Sequence, residues 1–372
     1  MLDLVEIRNL DGDLLMILDT AESVIWHSVY FGVGDFEISA EVTAETLRFL
    51  KPEILVARPD HDEAGIIERV EITREENGRK MILASGRFLK SILARRLIYN
   101  LFGIQNTPTI LRGNVETAVR EVVKNNAIAC PFDSSRNIPP LELGALANAK
   151  KTILSDSGKA AQRQVSHDNL MEYTDALLEE YGMGARVILA GGNYLYQIFE
   201  GRDRSVGNAE GLPSVVFSPD YDNLTESNYL TDTSTERNIA LVGGEGEGAA
   251  RHHTTTGGKI SGLDRREIWV DASSVNKTYK DANDEEHEYS LNDYREMLIG
   301  AGLETLAENN ITSEASGTID ITNGSYRYGR DFSLGDIVTI QDNAVGLYAD
   351  ARIVEILEAK DENGYTATAV YK

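Results

Sequence analysis

Glu53-Ile54-Leu55-Val56-Ala57, Ile67-Glu68-Arg69-Val70-Glu71-Ile72, Glu76-Asn77-Gly78 and Met81-Ile82-Leu83-Ala84 follow one another near the start of the chain, and the same order returns near its end. There Asp336-Ile337-Val338-Thr339-Ile340 leads to Arg352-Ile353-Val354-Glu355-Ile356, then Glu362-Asn363-Gly364, then Thr366-Ala367-Thr368-Ala369-Val370. Ile54 to Val70 spans 16 positions and Ile337 to Val354 spans 17, so the connecting loops nearly agree. The second hairpin is two residues longer, counted from Ile72 to Gly78 against Ile356 to Gly364. Runs rich in β-branched residues, bounded by turn residues, predict three antiparallel strands in each copy, and Asn-Gly supplies the positive φ angles a tight hairpin needs. Two readings stand: an internal duplication, or two unrelated hairpins sharing Val-Glu-Ile and Asn-Gly. A duplicated chain carries two similar β modules, and a ring of three such chains presents six similar surfaces.

Working outward, Leu2 to Arg8, Leu14 to Leu18, Val24 to Tyr30 and Phe36 to Ala40 read as strands, with one helix from a Thr43 cap to Lys51, ahead of Pro52. After Gly86 a helical pattern sets Leu89, Ile92, Leu93 and Leu97 on one side. Residues 101–210 change character. Asn114 caps a helix carrying Val115, Val119, Val122 and Val123, and a second helix through Leu170, Tyr173, Leu177 and Leu178 ends at Gly182. Arg186 to Leu189 and Tyr194 to Phe199 form a hairpin about Gly191-Gly192-Asn193, so a small α+β domain is expected. From 211 the chain returns to strands at Ser214 to Ser218, Asn238 to Val242 and Glu267 to Asp271. One helical pattern, Tyr289 to Asn310, carries a Ser290/Asp293 capping box and two glycines, Gly300 and Gly302, expected to bend or divide it. The expected division is a first β module at 1–100, a middle α+β domain at 101–210, and a second β module at 211–372 holding an inserted loop and helix at about 272–315.

Sixty acidic against 36 basic residues leave a formal charge of −24, which argues against a protein that grips nucleic acid by its phosphates. Such a surface repels DNA, which suits a passage through which DNA slides, or serves simple solubility. Cys130 is the single cysteine, so no intrachain disulfide and no thiolate cluster holds the fold. The start, Met1-Leu2-Asp3-Leu4-Val5-Glu6, lacks the basic and apolar segments of a signal peptide, and no apolar run reaches membrane-spanning length, so assembly in a cytosol is expected.

Candidate chemistry is weak throughout. Gly243-Gly244-Glu245-Gly246-Glu247-Gly248 follows a strand, but its two glutamates repel phosphate and no helix start follows; Gly257-Gly258-Lys259 is succeeded by Ile260 rather than Ser or Thr. His252 and His253 point to opposite faces of a strand, with no third ligand at a matching spacing. Asp60-His61-Asp62-Glu63 reads as a solvated loop, as does Asp281 to Glu288, where the glycine of a calcium loop is missing. No nucleophile elbow is present, and Cys130 precedes a proline in an ordinary setting. Carboxylate pairs distant in sequence stay open as a hydrolytic alternative. Trp26, Tyr30 and Phe36, and likewise Tyr326 and Tyr328, read as core or interface rather than a ligand shelf. No catalytic, cofactor-binding or metal-ligating residue is assigned.

In the first module Trp26, Tyr30, Gly34, Phe36-Glu37-Ile38, Gly65-Ile66-Ile67, Gly86 and Arg95-Arg96 stand in an order that resembles the hub proteins at the tip of siphovirus tails, the family related to the N-terminal part of tail-associated lysins. The likeness continues through Asn238, Ala240, Val242-Gly243-Gly244, Gly246, Arg251, Arg265-Arg266-Glu267 and Asp271. It closes on Tyr328-Gly329-Arg330-Asp331-Phe332, Leu334-Gly335-Asp336 and Val338. The resemblance implies a mainly β fold with α+β insertions and two barrel-like tube modules, three chains forming a pseudo-sixfold ring that continues the tail tube. It implies the distal tail protein, the tube and the tape-measure protein as neighbours, a virion location, no cofactor and no catalytic residues. On this reading the work is mechanical: the ring closes the tube and opens for the genome on host contact. A wall-degrading enzyme and a carbohydrate-binding tail module are the competing expectations.

Overall fold

The structure, a computed structural model, describes residues 4–74, 78–99, 101–102, 105–106, 109–153, 162–221, 223–224, 226–280, 284–310, 312–318, 326–344 and 346–372. Strand dominates. The first module holds β1 (Val5–Arg8), β2 (Leu14–Leu18), β3 (Ala21–Val29), β4 (Asp35–Glu41), α1 (Ala44–Phe49), β5 (Leu55–Ala57), β6 (Gly65–Arg74) and β7 (Lys80–Phe88). Leu2 and Asp3 of the expected opening strand, and Glu76-Asn77 of the first Asn-Gly turn, lie outside the described residues; Gly78 has φ +89°. Thr43 caps α1 through a capping box in which Thr46 answers with its own hydroxyl. Side chains from all seven strands share one core around Trp26, Phe36, Ile38 and Phe88. A sheet whose strands all face one cluster has to curl around it, and this one does so in the order β3-β4-β7-β6-β5-β1-β2.

After a 3-10 helix at Leu89–Arg95, the middle of the chain contains β8 (Leu101–Phe102), β9 (Gln105–Asn106), β10 (Thr109–Arg112), α2 (Val115–Val123), β11 (Leu141–Leu143), β12 (Gln162–Val165), α3 (Leu170–Glu180), β13 (Gly184–Ala190) and β14 (Asn193–Phe199). Leu97, expected on the apolar side of the helix after Gly86, stands beyond its end and is half exposed. The side-chain amide oxygens of Asn114 and Asn169 accept first-turn N–H groups and start α2 and α3. β13 and β14 close through Gly191 and Gly192, both at positive φ, as the paired glycines require.

The rest comprises β15 (Val216–Phe217), β16 (Glu226–Asp232), β17 (Ile239–Gly243), β18 (His253–Thr256), β19 (Glu267–Asp271), β20 (Thr278–Lys280), β21 (Glu286–Glu288), α4 (Leu291–Glu308), β22 (Thr312–Thr318), β23 (Ile337–Asp342), β24 (Leu347–Asp361) and β25 (Gly364–Tyr371). α4 is one helix; Gly300 and Gly302 do not divide it. They allow close approach instead: a Cβ on Gly300 would lie 2.8 Å from the Gln162 carbonyl oxygen, and one on Gly302 2.6 Å from Thr256. The chain between β16 and β22 forms the three-stranded sheet β18-β17-β19 with α4 packed on it around Val242, Tyr294 and Leu298.

The two copies share a topology. β16-β22-β25-β24-β23 repeats β3-β4-β7-β6-β5 strand for strand, every neighbouring pair antiparallel in both. Each copy has its bulge at the same place, between Ile67 and Arg69 in β6 and between Ile353 and Glu355 in β24. The backbone bonds beside the bulge also repeat. Glu53 N–H donates to Ile67 O at 2.9 Å and Ile67 N–H to Ile54 O at 2.9 Å; Gly335 N–H donates to Ile353 O at 2.8 Å and Ile353 N–H to Asp336 O at 2.9 Å. Glu53 and Gly335 both hold positive φ, at 64° and 91°. The equivalence therefore runs Ile67 to Ile353, two positions away from the Val-Glu-Ile letters that match in sequence. On that alignment the hairpins no longer differ by two residues: Ile67 to Gly78 and Ile353 to Gly364 are each 11 positions.

Candidate functional site

Residues Val24, Trp26 and Ser28 point into the first core while Ser23, Ile25, His27 and Val29 point out, and the alternation carries across each rung of the sheet. One outward rung joins Arg69, Ser85, Glu37 and Ile25; in the second copy the backbone of Glu355 pairs with Val370, Val370 with Ser316 and Ser316 with Asn228. The two modules meet edge to edge. Glu355–Lys360 of β24 pairs antiparallel with Val24–Val29 of β3, so both halves belong to one 13-stranded sheet. Its outward face is the broad surface that this fold builds. Asp35, Glu37, Glu41, Glu71 and Glu355 stand on it against Arg69, Arg87 and His27, leaving it acidic. His27 bridges Asp35 at 3.1 Å and Glu355 at 3.0 Å across the seam.

Beneath the seam lies a buried ion pair. Arg58 Nη1 donates to Glu358 Oε2 at 2.8 Å, and the side chains are 2% and 7% exposed. Tyr365 Oη donates to Glu358 Oε1 at 2.8 Å, Asp60 takes two further guanidinium bonds at 3.1 Å, and the guanidinium lies over the Trp26 ring. Burial works against the Arg58 charge, yet the Glu358 and Asp60 carboxylates outweigh it and raise its pKa. Sequence reasoning missed this pair. The available signal was a cation ending the apolar run Leu55-Val56-Ala57, but nothing in the sequence marked Glu358, 300 residues away, as its partner.

The neighbouring loop Asp60-His61-Asp62-Glu63, expected to be solvated, is so only at Asp60 and Asp62. His61 turns inward against Trp26 and Phe88, its Nδ1 accepting the Glu63 N–H at 3.2 Å and its Nε2 facing Ser28 Oγ at 3.3 Å. Asp62 faces Arg186 at 3.3 Å, and Glu63 is buried. Burial, with Arg58 nearby, holds the His61 pKa down at about 4, and burial pushes Glu63 up to about 7. Their linkages oppose each other. As pH falls from 6.5 towards 4 the unfolded chain binds a proton that folded His61 refuses, so stability is lost; over 4.5 to 7 the folded chain holds the Glu63 proton, so stability is lost as pH rises. Glu63→Gln is therefore expected to make stability fall more steeply on acidification between pH 6.5 and 4.5, and His61→Gln to make it fall less steeply. Urea unfolding across that range checks both, and equal slopes in wild type and both variants would contradict the placement.

The other sequence candidates are occupied by structural contacts. Glu245 N–H donates to Tyr294 Oη at 2.7 Å, and Arg251 binds the Gly243 and Gly244 carbonyls, so the glycine loop after β17 is packed against α4. His252 and His253 lie against Tyr294 and Trp269 on opposite sides of β18. Asp281 to Asn283 lie outside the described residues. Cys130 is buried, and burial raises its pKa. Trp26, Tyr30 and Phe36 are core residues, and Tyr326 and Tyr328 pack on the second core around Phe217 and Phe332. Among the described residues no group of three His, Cys, Asp or Glu has metal-holding geometry, and no helix is long and apolar enough to cross a membrane.

A cavity of about 1000 Å³ lies between α3 and α4. Arg163, 1% exposed, binds Glu180 at 2.6 Å and Glu304 at 3.1 Å there, and Tyr173 Oη donates to Glu304 at 3.3 Å. Burial raises the Glu304 pKa while Arg163 opposes the rise. Glycoside hydrolysis requires a free acid and a free base or nucleophile on either side of a bond. Here both carboxylates converge on one guanidinium, which also ties α4 to α3 through β12.

This architecture matches known tail proteins. A tail protein of Neisseria meningitidis MC58 superposes with TM-score 0.57 at 14% identity, covering 99% of this chain and 96% of that one. The 43 kDa tail protein of prophage MuSo2 from Shewanella oneidensis gives 0.56 at 12% identity, covering 99% and 98%. The prophage tail protein gp18 of Listeria monocytogenes EGD-e gives 0.52 at 12% identity, covering 100% and 94%. At such identities the likeness is one of fold. No curated protein matches the chain. The sequence profile of the Siphovirus ReqiPepy6 Gp37-like proteins matches residues 4–371, so the chain belongs to that family of siphovirus tail proteins and is a component of the virion.

Proposed function

We propose that this tail protein is the hub of the tail tip, three copies closing into a ring whose six β modules present quasi-sixfold symmetry to the tail tube. The observation that carries the reading is the repeated five-strand topology within one chain, bulge for bulge, with the modules joined edge to edge. A sixfold tube meeting a threefold tip needs a chain that supplies two equivalent surfaces, and this one supplies them. The acidic outward face of the sheet lines the passage, where like charge keeps DNA phosphates from sticking; three chains bring a formal charge of −72, three times −24. The distal tail protein, the tube and the tape-measure protein are the expected neighbours, and opening of the ring on host contact releases the genome. For the division of the chain we take 4–88 as the first module and 201–232 with 312–372 as the second. The sheet and helix between β16 and β22 then decorate the ring.

The role is structural rather than enzymatic, supported by the commitment of Glu180 and Glu304 to Arg163. Purified protein is expected to form a 123 kDa particle, three times 41.0 kDa, with a central hole and threefold averages in negative stain. A particle that stays at 41.0 kDa at micromolar concentration would overturn the proposal. So would cell-wall hydrolysis abolished by Glu304→Gln, which is the enzyme reading's own requirement.

A further inference from the structure

The seam inside one chain has a counterpart that the single chain leaves unfilled. Topologically, β6 is to the first module what β24 is to the second, and β16 is to the second what β3 is to the first. β24 carries β25 on one edge and β3 on the other over Glu355–Lys360. Among the described residues, Arg69–Arg74 of β6 pairs with β7 on one edge and with no strand on the other, and β16 pairs with β22 alone. An unpaired strand edge is a ready template for another chain.

We infer that β16 of one copy adds antiparallel to Arg69–Arg74 of β6 in the next, in the register of the intrachain seam. The inference rests on the ring reading above and deepens it by naming the strands that close the ring. Carrying the register across by the shared bulge turns Trp26↔Glu358 into Tyr229↔Ile72, His27↔Leu357 into Leu230↔Glu71, and Val29↔Glu355 into Asp232↔Arg69. The pairs are complementary. Ile72 stands on the core-facing side of its strand yet is 53% exposed, whereas its counterpart Glu358 is 5% exposed beside β3. Tyr229 packs partly on the second core, so it brings an apolar ring to Ile72. Asp232 supplies the charge opposite Arg69, whose own neighbour Glu71 holds it at 2.6 Å in the isolated chain.

Disulfide trapping tests this. In a Cys130→Ser background, Glu71→Cys with Leu230→Cys places two outward, solvent-accessible thiols directly opposite one another across the new seam, at a spacing that suits a disulfide. Mild oxidation should give covalent dimers and trimers on a non-reducing gel, at least tenfold more than Glu71→Cys with Thr231→Cys, because a one-residue slip turns the side chain to the other face. Wild type that is trimeric by mass photometry while the 71/230 pair stays uncrosslinked would overturn the seam and leave the ring standing. A ladder continuing past the trimer would support the seam and overturn the closed ring. Monomeric wild type without crosslinks would remove both.

Discussion

Arg58→Ala is expected to cost ~3–5 kcal/mol, because it strands the Glu358 carboxylate in a site only 7% exposed. Among the described residues Tyr365 alone is left to hydrogen-bond that oxygen pair, and one phenol does not compensate a buried charge. The loss falls on the seam between modules, where Arg58 reaches from the loop after β5 to a strand of the other module. A drop in Tm on the order of 10 °C in calorimetry is the expected signature. Arg58→Met combined with Glu358→Leu should recover most of it, since removing both charges removes the desolvation cost along with the attraction. A double variant as unstable as the single one would show that the pair is needed for something other than charge compensation. Only a thermodynamic cycle separates the two.

Tyr30→Ala is expected to cost ~3–5 kcal/mol by cavity formation. Tyr30 is fully buried. Its ring lies against Phe199 of β14, with centroids 5.2 Å apart, and under Arg352 of β24. Gly184 and Gly335 come so close that a Cβ on either would lie 2.7 Å or 2.3 Å from the ring. The hydroxyl lies 3.2 Å from Gly182 O and 3.3 Å from Phe199 O, and accepts from Gly201 N–H at 3.2 Å. Burial raises its pKa, which keeps it a neutral phenol. Tyr30→Phe should therefore cost only ~1 kcal/mol, the net worth of the hydroxyl bonds. A Phe variant as damaged as the Ala variant would place the energy in the polar contacts instead of the ring.

The duplication was legible, but its register was not. Matching Val70-Glu71-Ile72 to Val354-Glu355-Ile356 pairs an Ile72 that is 53% exposed with an Ile356 that is fully buried. The bulges at Glu68 and Val354 leave no mark in the residue letters; they show only as a step in the ladder, which two strands define together. Gly86 was a clue in plain sight. A Cβ there would lie 1.9 Å from the Ile66 carbonyl oxygen, so the strand facing the first bulge needs a glycine. Gly300 and Gly302 misled for a related reason, since propensity treats a helical glycine as a weakness and cannot see the strands that press against it.

The sequence by itself determined the strands, caps and turns, the excess of acid, and the order of motifs that marks a siphovirus tail protein, because each depends on neighbours within a few residues or on composition. Only the tertiary structure decided which edges meet. The Arg58–Glu358 pair and the β3–β24 seam bring together residues 300 or more positions apart, and pairing at that range is set by packing and burial that no local pattern encodes.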